Sequence, residues 1–206
     1  MLTITNEDNM VMMARYPDKH FDLAIIDAPY NLKRFRKGIV ESDRHKFKSG
    51  PQFNNCSPTD EFWKELFRIS KNQIVWGANN FIMPPSEYFC IWNKKQTVDN
   101  FASAEYAWVS MGLKTPAKVF DYSIHLHNHV DKIHPTQKPV DLYKWILKTY
   151  AKPSQSILDT HLGSGSIAIA CHDYGYELTA CELDKDYYEA AMKRINGHLA
   201  QQKLFI

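Results

Sequence analysis

Long apolar runs are missing from this 206-residue chain. None approaches the ~18 residues a membrane-spanning helix needs, so none is expected. The opening MLTITNEDNM has no basic stretch followed by an apolar one, which argues against a secretory signal. Cysteine is scarce: Cys56, Cys90, Cys171 and Cys181 stand far apart, with no C-x-x-C pair. That spacing excludes a dense disulfide frame or a cysteine zinc site and implies reduced, packed thiols in a cytoplasmic protein. Strong net charge is absent as well, at +2, so bulk charge points to no partner. Internal repeats and low-complexity tracts are lacking. With 44% apolar and 23% charged residues, the chain reads as one globular domain over 1–206, long enough to bury a large core.

The charge is unevenly spread. Between residues 33 and 48 lie Lys33, Arg34, Arg36, Lys37, Arg44, Lys46 and Lys48 against only Glu41 and Asp43. A solvated loop is the plain reading of such a run. A basic flap, about 32–56, closing on the phosphates of a nucleic acid is the reading its position favours. It follows directly on the stretch AIIDAPYN, where an apolar run drives into Asp27 and then Ala28, Pro29 and Tyr30.

Short runs of branched and aromatic residues predict strands at 2–5, 23–27, 73–76, 89–92, 105–109, 157–159 and 178–182. Helical patterns lie between many of them. Ser57-Pro58-Thr59-Asp60 predicts a helix start capped by Ser57, with Phe62, Leu66 and Ile69 on one apolar face. Pro139 begins another, with Leu142, Trp145, Ile146 and Thr149 inward. The last starts near Asp184, with Tyr188, Ala191, Ile195 and Leu199 inward. Alternating strands and helices imply a largely parallel sheet covered on both faces. Residues 77–135 hold fewer helix signals, so their strands are expected to pair locally.

In such sheets ligands bind beyond the carboxyl ends of strands. Asp27-Ala28-Pro29-Tyr30 stands at one such end. ILDTHLGSGSIAIAC, residues 157–171, places Asp159, then Gly163, Ser164 and Gly165, between a strand and a helix. Glycines there let backbone approach a ligand, and the helix start favours a negative group. Glu182 closes the next strand, 17 residues after Gly165, where a carboxylate accepts both hydroxyls of a ribose. Together these favour a nucleoside-containing cofactor. HPTQKP, residues 134–139, is a polar loop before a helix, and its lysine is placed to hold a carboxylate.

These stretches carry a resemblance. Asp27-Ala28-Pro29-Tyr30 resembles the D-P-P-Y motif of the DNA amino-methyltransferases. Residues 134–139 and 159–165 resemble the H-P-T-Q-K-P and D-P-F-x-G-S-G motifs these enzymes use for S-adenosylmethionine. The order, catalytic motif first, resembles the permuted β group. Asp8-Asn9 looks like the element that meets the cofactor's adenine there, and Trp92-Asn93-Lys94 and residues 104–108 look like the family's middle strands.

The resemblance implies a Rossmann-like α/β methyltransferase fold, a three-layer sandwich with a mostly parallel seven-stranded sheet. Asp27, Ala28, Pro29 and Tyr30 would be catalytic. Asp8, Asn9, Asp27, His134, Thr136, Lys138, Asp159, His161, Gly163, Ser164, Gly165 and Glu182 would hold S-adenosylmethionine. The partner would be duplex DNA with a flipped base, met by the basic flap and by a short recognition segment, about 111–132, unless a homodimer shares that role. A solitary enzyme in the cytoplasm of a bacterial or phage-infected cell fits this picture. Asp at the head of the catalytic motif favours adenine N6. N4-cytosine methylation, RNA adenine methylation and an inactive nucleic-acid-binding relative are the alternatives, the last because Ala28, Thr160 and His161 depart from the family pattern. In HLHNH, His125, His127 and His129 recur at period two, as zinc ligands on a strand sometimes do. No acidic or cysteine partner is near, so no metal is expected and these histidines should face the surface or nucleic acid.

Overall fold

The computed structural model describes residues 1–30, 56–99, 101–128 and 132–201. Among these, eight strands form one sheet: β1 (Leu2–Asn6), β2 (Phe21–Ile26), β3 (Ser70–Trp76), β4 (Phe89–Asn93), β5 (Ala104–Val109), β6 (Lys118–Asp121), β7 (Ser156–Asp159) and β8 (Glu177–Glu182). Six helices accompany them: α1 (Asn9–Met13), α2 (Asp60–Ile69), α3 (Ile124–Asn128), α4 (Val140–Tyr150), α5 (Ser166–Tyr174) and α6 (Lys185–Leu199). The strand order is β1-β8-β7-β2-β3-β5-β4-β6. β5 is antiparallel to both neighbours and every other pairing is parallel. Among the described strands, only β5 runs against the rest. The sheet is the expected mostly parallel one with one strand added. The added strand, β6, lies at an edge and exposes Lys118, Val119 and Asp121, so no buried apolar run marks it.

Neighbouring residues on a strand point to opposite faces, and the central strands bury both. Leu23, Ile25, Ile74 and Trp76 enter one core, Ala24, Ile26 and Val75 the other. The first core is closed by Leu142 and Ile146 of α4, Ile167 of α5, and Ala191 and Ile195 of α6. The second is closed by Met12 and Met13 of α1 and by Phe62, Leu66 and Ile69 of α2. Each of the buried Leu, Ile, Met and Phe side chains contributes about 1.5–3 kcal/mol by leaving water.

Several local expectations shift. Thr59, not Ser57, caps α2: its hydroxyl accepts from the Phe62 amide at 3.4 Å, and Asp60 and Glu61 then face the positive helix end. On α4 the buried residues are Leu142, Tyr143, Ile146, Leu147 and Tyr150, while Trp145 and Thr149 are half-buried at the margin. On α6, Ala191 and Ile195 are buried but Leu199, in the last turn, is 40% exposed. Residues 124–128 form α3 rather than a strand. His125 is exposed, whereas His127 is 2% exposed and its Nε2–H donates to the Gln137 carbonyl at 2.7 Å. Burial pushes its pKa down to about 4. His127 is thus an interior neutral imidazole, not a surface group; His129 lies outside the described residues.

The reversal of β5 matters for the site. Its first residues share an edge with the last residues of the other strands. Asp27 after β2, Lys94 after β4, Asp159 of β7, Glu182 of β8 and Glu105 of β5 all gather along that rim.

Candidate active site

The rim opens into a cavity of about 960 Å³, a volume that accommodates a nucleoside-sized ligand with room beside it. The expected residues converge there from distant parts of the chain. Asp27–Tyr30, Asp8, Asn9, His134, Thr136, Lys138, His161, Gly163, Ser164 and Glu182 all line it. Asp159 and Gly165 do not. Asp159 lies just behind the wall, its Oδ1 accepting from the His161 amide at 2.9 Å. Gly165 faces away: a Cβ there would come within 2.8 Å of Ile195 Cδ1, so its bare backbone serves the approach of α6. The basic residues Lys33, Arg34, Arg36, Lys37, Arg44, Lys46 and Lys48 lie outside the described residues.

At the centre is a partly buried chain of alternating charge, with Lys138 its most buried member. Lys138 Nζ is 2.5 Å from Asp27 Oδ2 and 3.3 Å from Glu105 Oε2, and Lys94 Nζ is 2.6 Å from Glu105 Oε1. Lys138, expected among the cofactor-holding residues, pairs here with the carboxylates of Asp27 and Glu105. Burial raises the Asp27 pKa, the Lys138 ammonium opposes this, and Glu105 adds to the rise; the net direction is upward. Burial also acts on Glu105, but two ammonium groups outweigh it and hold its carboxyl at about 2. Burial alone would lower the pKa of Lys138; the two carboxylates reverse that. The ammonium also sits 5.6 Å over the Trp76 ring.

The glycine loop and the 134–139 loop are tied together. Ser166 Oγ donates to the Lys138 carbonyl at 2.7 Å, and Arg194 Nη1 donates to Ser166 Oγ at 2.9 Å and to the Ser164 carbonyl at 2.8 Å. Gly163, at φ +54, lies under the His134 ring. His134 is in turn 4.5 Å from the Tyr187 ring, and its Nδ1 accepts from the Thr136 amide at 3.3 Å. Burial lowers its pKa to about 4. Glu182 accepts from the Gly163 amide at 2.8 Å and the Asp184 amide at 3.0 Å while lining the cavity. Burial raises its pKa, against those two amides.

At the other end Asp8 caps α1, accepting from the Met10 and Val11 amides at 2.8 and 3.2 Å. Asn9 Nδ2 donates to His161 Nε2 at 3.2 Å, so Nδ1 carries the proton and donates to Thr160 Oγ1 at 2.9 Å. Burial lowers the His161 pKa to about 4. The imidazole is a neutral, oriented wall in edge-to-face contact with Phe62, ring centroids 5.4 Å apart.

The sequence profile of the N6_N4_Mtase family, DNA methylase, matches residues 46–193. This chain belongs to that DNA methylase family. It is 23% identical over 248 aligned residues to the Type II methyltransferase M.BglII of Bacillus subtilis, covering 94% of this chain and 69% of the relative. Its fold matches the crystal structure of the M1.HpyAVI–SAM complex with a TM-score of 0.60 at 17% identity, covering 94% of this chain and 100% of that one. It also matches the cytosine-N4-specific PvuII DNA methyltransferase with a TM-score of 0.59 at 11% identity, covering 99% and 90%.

The family uses S-adenosylmethionine, and the residues of this methylase fit it. Gly163 brings bare backbone at φ +54 to the cavity wall, Glu182 offers a carboxylate at the rim, and one buried donor lacks a partner among the described residues. Gln137 is 6% exposed and lines the cavity. Its Nε2 has no hydrogen-bond partner among the described residues, although its Oε1 accepts from the Ile133 amide at 3.1 Å. An acceptor atom of a ligand in the cavity would satisfy this Nε2. Sequence reasoning placed Gln137, Glu105 and Lys94 in motif-like stretches but assigned none of them a role in the site. Gln137 lay inside a recognised motif. Glu105 and Lys94 meet only through the antiparallel β4–β5 pairing, which no local pattern reveals.

Proposed function

We propose that this methylase transfers a methyl group to the N6 amine of adenine in DNA. The observation that carries the reading is Asp27: a carboxylate held at the cavity rim by Lys138, next to the Ala28 carbonyl and the Tyr30 ring. S-adenosylmethionine, when bound, would supply an electrophilic methyl group to the amine nitrogen, with its sulfur as the leaving group that keeps the bonding electron pair. The adenine amine is a poor nucleophile because its lone pair is delocalised into the ring. Asp27 accepts a hydrogen bond from one amine N–H and the Ala28 carbonyl from the other, which favours the tetrahedral nitrogen that attacks. Asp27 then takes the proton the nitrogen sheds. Pro29 fixes the turn so that both acceptors point one way; the alanine at 28 keeps its carbonyl. Tyr30 stacks on the flipped base, worth about 1–3 kcal/mol. The basic residues from Lys33 to Lys48 meet phosphates. Asp rather than Ser at the head of the motif supports adenine over cytosine.

The test is label transfer from isotopically labelled S-adenosylmethionine into duplex DNA and into structured RNA, by wild type and by Asp27→Ala. The reading expects label in DNA, lost in the variant by at least about a hundredfold, with cofactor binding by calorimetry retained. Label in RNA alone, or loss of cofactor binding in the variant, would contradict it.

A further inference from the structure

We propose that Lys138, flanked by Glu105, is a positioning residue that keeps Asp27 ionised and turns one of its oxygens towards the target amine. The inference rests on the reading of Asp27 as the amine's acceptor.

The geometry is specific. Lys138 Nζ takes Asp27 Oδ2 at 2.5 Å, which leaves Oδ1 to accept from an incoming amine. The ammonium cannot wander, because Glu105 Oε2 holds it at 3.3 Å and the Trp76 ring lies beneath it. Its backbone is pinned too, by Ser166 Oγ on its carbonyl and by Pro139 behind it. Glu105 is anchored in turn by Lys94 at 2.6 Å. Lys138 is only 5% exposed at its side chain, so this is an interior arrangement and not a surface pair that water would screen.

The charge matters because of what surrounds Asp27. From β5 it faces the negative Glu105, and from β7 the Asp159 carboxyl; from α4 it faces the Tyr143 phenol, and Lys94 at the end of β4 stands one carboxylate further off. Without Lys138, burial and neighbouring acids would all favour the neutral carboxyl. A protonated Asp27 loses acceptor strength at the oxygen that must bind the amine and cannot take up the proton that leaves it. Lys138 is the adjacent cation that prevents this. Glu105 acts in both directions: it steadies Lys138 and, through its own charge, opposes the ionisation of Asp27.

That opposition makes the inference testable, because structural damage would not shift two variants in opposite directions. The experiment is the pH profile of single-turnover methyl transfer for wild type, Lys138→Met, Lys138→Arg and Glu105→Gln. Alongside it, 13C NMR of labelled aspartate, with Asp27 assigned from Asp27→Asn, follows the carboxyl directly. Lys138→Met is expected to move the acid limb up by about one to three pH units, with the rate recovering towards wild type at high pH. Glu105→Gln is expected to move it down, and Lys138→Arg to return it close to wild type. The Asp27 resonance should titrate in step with each limb. A rate lowered equally at every pH in Lys138→Met would overturn the inference, as would both limbs moving the same way, or a loss of cofactor affinity with the limb unmoved. If wild type transfers nothing to DNA, the functional reading fails. The NMR titration then still decides whether Lys138 sets the charge of Asp27.

Discussion

Tyr30 lies directly on Gly77: a Cβ built at Gly77 would come within 2.7 Å of Tyr30 Cε1. The glycine also stands at φ +65, beyond the end of β3, so two demands meet at one position. Phe81 meets the ring edge-on at 6.4 Å. Gly77→Ala should therefore cost about 1–3 kcal/mol from backbone strain and push the tyrosine ring off its seat. Melting should show the stability loss, and kinetics on DNA should show lower transfer at unchanged cofactor affinity. Full activity in Gly77→Ala would mean that the seat of Tyr30 is unimportant.

Asp159 should make the protein less stable as pH rises. Its carboxyl is pushed up to about 8, chiefly by burial, from an ordinary value of 3.8. Between those two values the folded chain keeps a proton that the unfolded chain has released, so folding stability falls with rising pH. Asp159→Asn keeps an oxygen for the His161 amide and removes the charge. Its melting temperature relative to wild type should rise steadily from pH 5 to pH 8. A difference that does not change with pH would contradict the assignment.

His161 should act with the opposite sign. Its folded pKa of about 4 lies below the ordinary 6.5, so the unfolded chain binds protons first on acidification. Stability present above 6.5 is lost as pH falls towards 4; His127 and His134 share this direction. His161→Phe removes one of the three groups. Its melting temperature should drop less than that of wild type between pH 7.5 and pH 5. An equal drop would show that His161 is not among the groups responsible.

The basic stretch should show itself through salt. Replacing Lys33, Arg34, Arg36 and Lys37 with alanine should weaken DNA binding across sequences. It should also reduce the slope of log affinity against log salt by about one for each phosphate no longer neutralised. Cofactor affinity should not change. An unchanged slope would assign the stretch another role.

Strands such as β2 and β7 were legible because their buried positions are continuous apolar runs ending in a carboxylate. The pairing of the glycine loop with Glu182 was legible because it spans one β-α-β unit of fixed length. What escaped depended on distant partners or weak local signals. β6 exposes three of its four residues, so its only credential is the neighbour it pairs with. α3 was hidden because histidines at period two mimic a strand, and His127 is interior only because the Gln137 carbonyl receives it. The ion pairs of Lys138 inside the protein were not legible, whatever it holds from outside. Its protein partners, Asp27 and Glu105, lie more than thirty residues away in sequence at the ends of two strands, and the reversal of β5 brings the second of them to the rim.

The most direct test is mass spectrometry of nucleosides from DNA incubated with the pure protein and isotopically labelled S-adenosylmethionine. The account predicts labelled N6-methyl-2′-deoxyadenosine, lost in Asp27→Ala. Labelled N4-methyl-2′-deoxycytidine would keep the acceptor chemistry and contradict the base. No label in any DNA nucleoside would contradict the central claim.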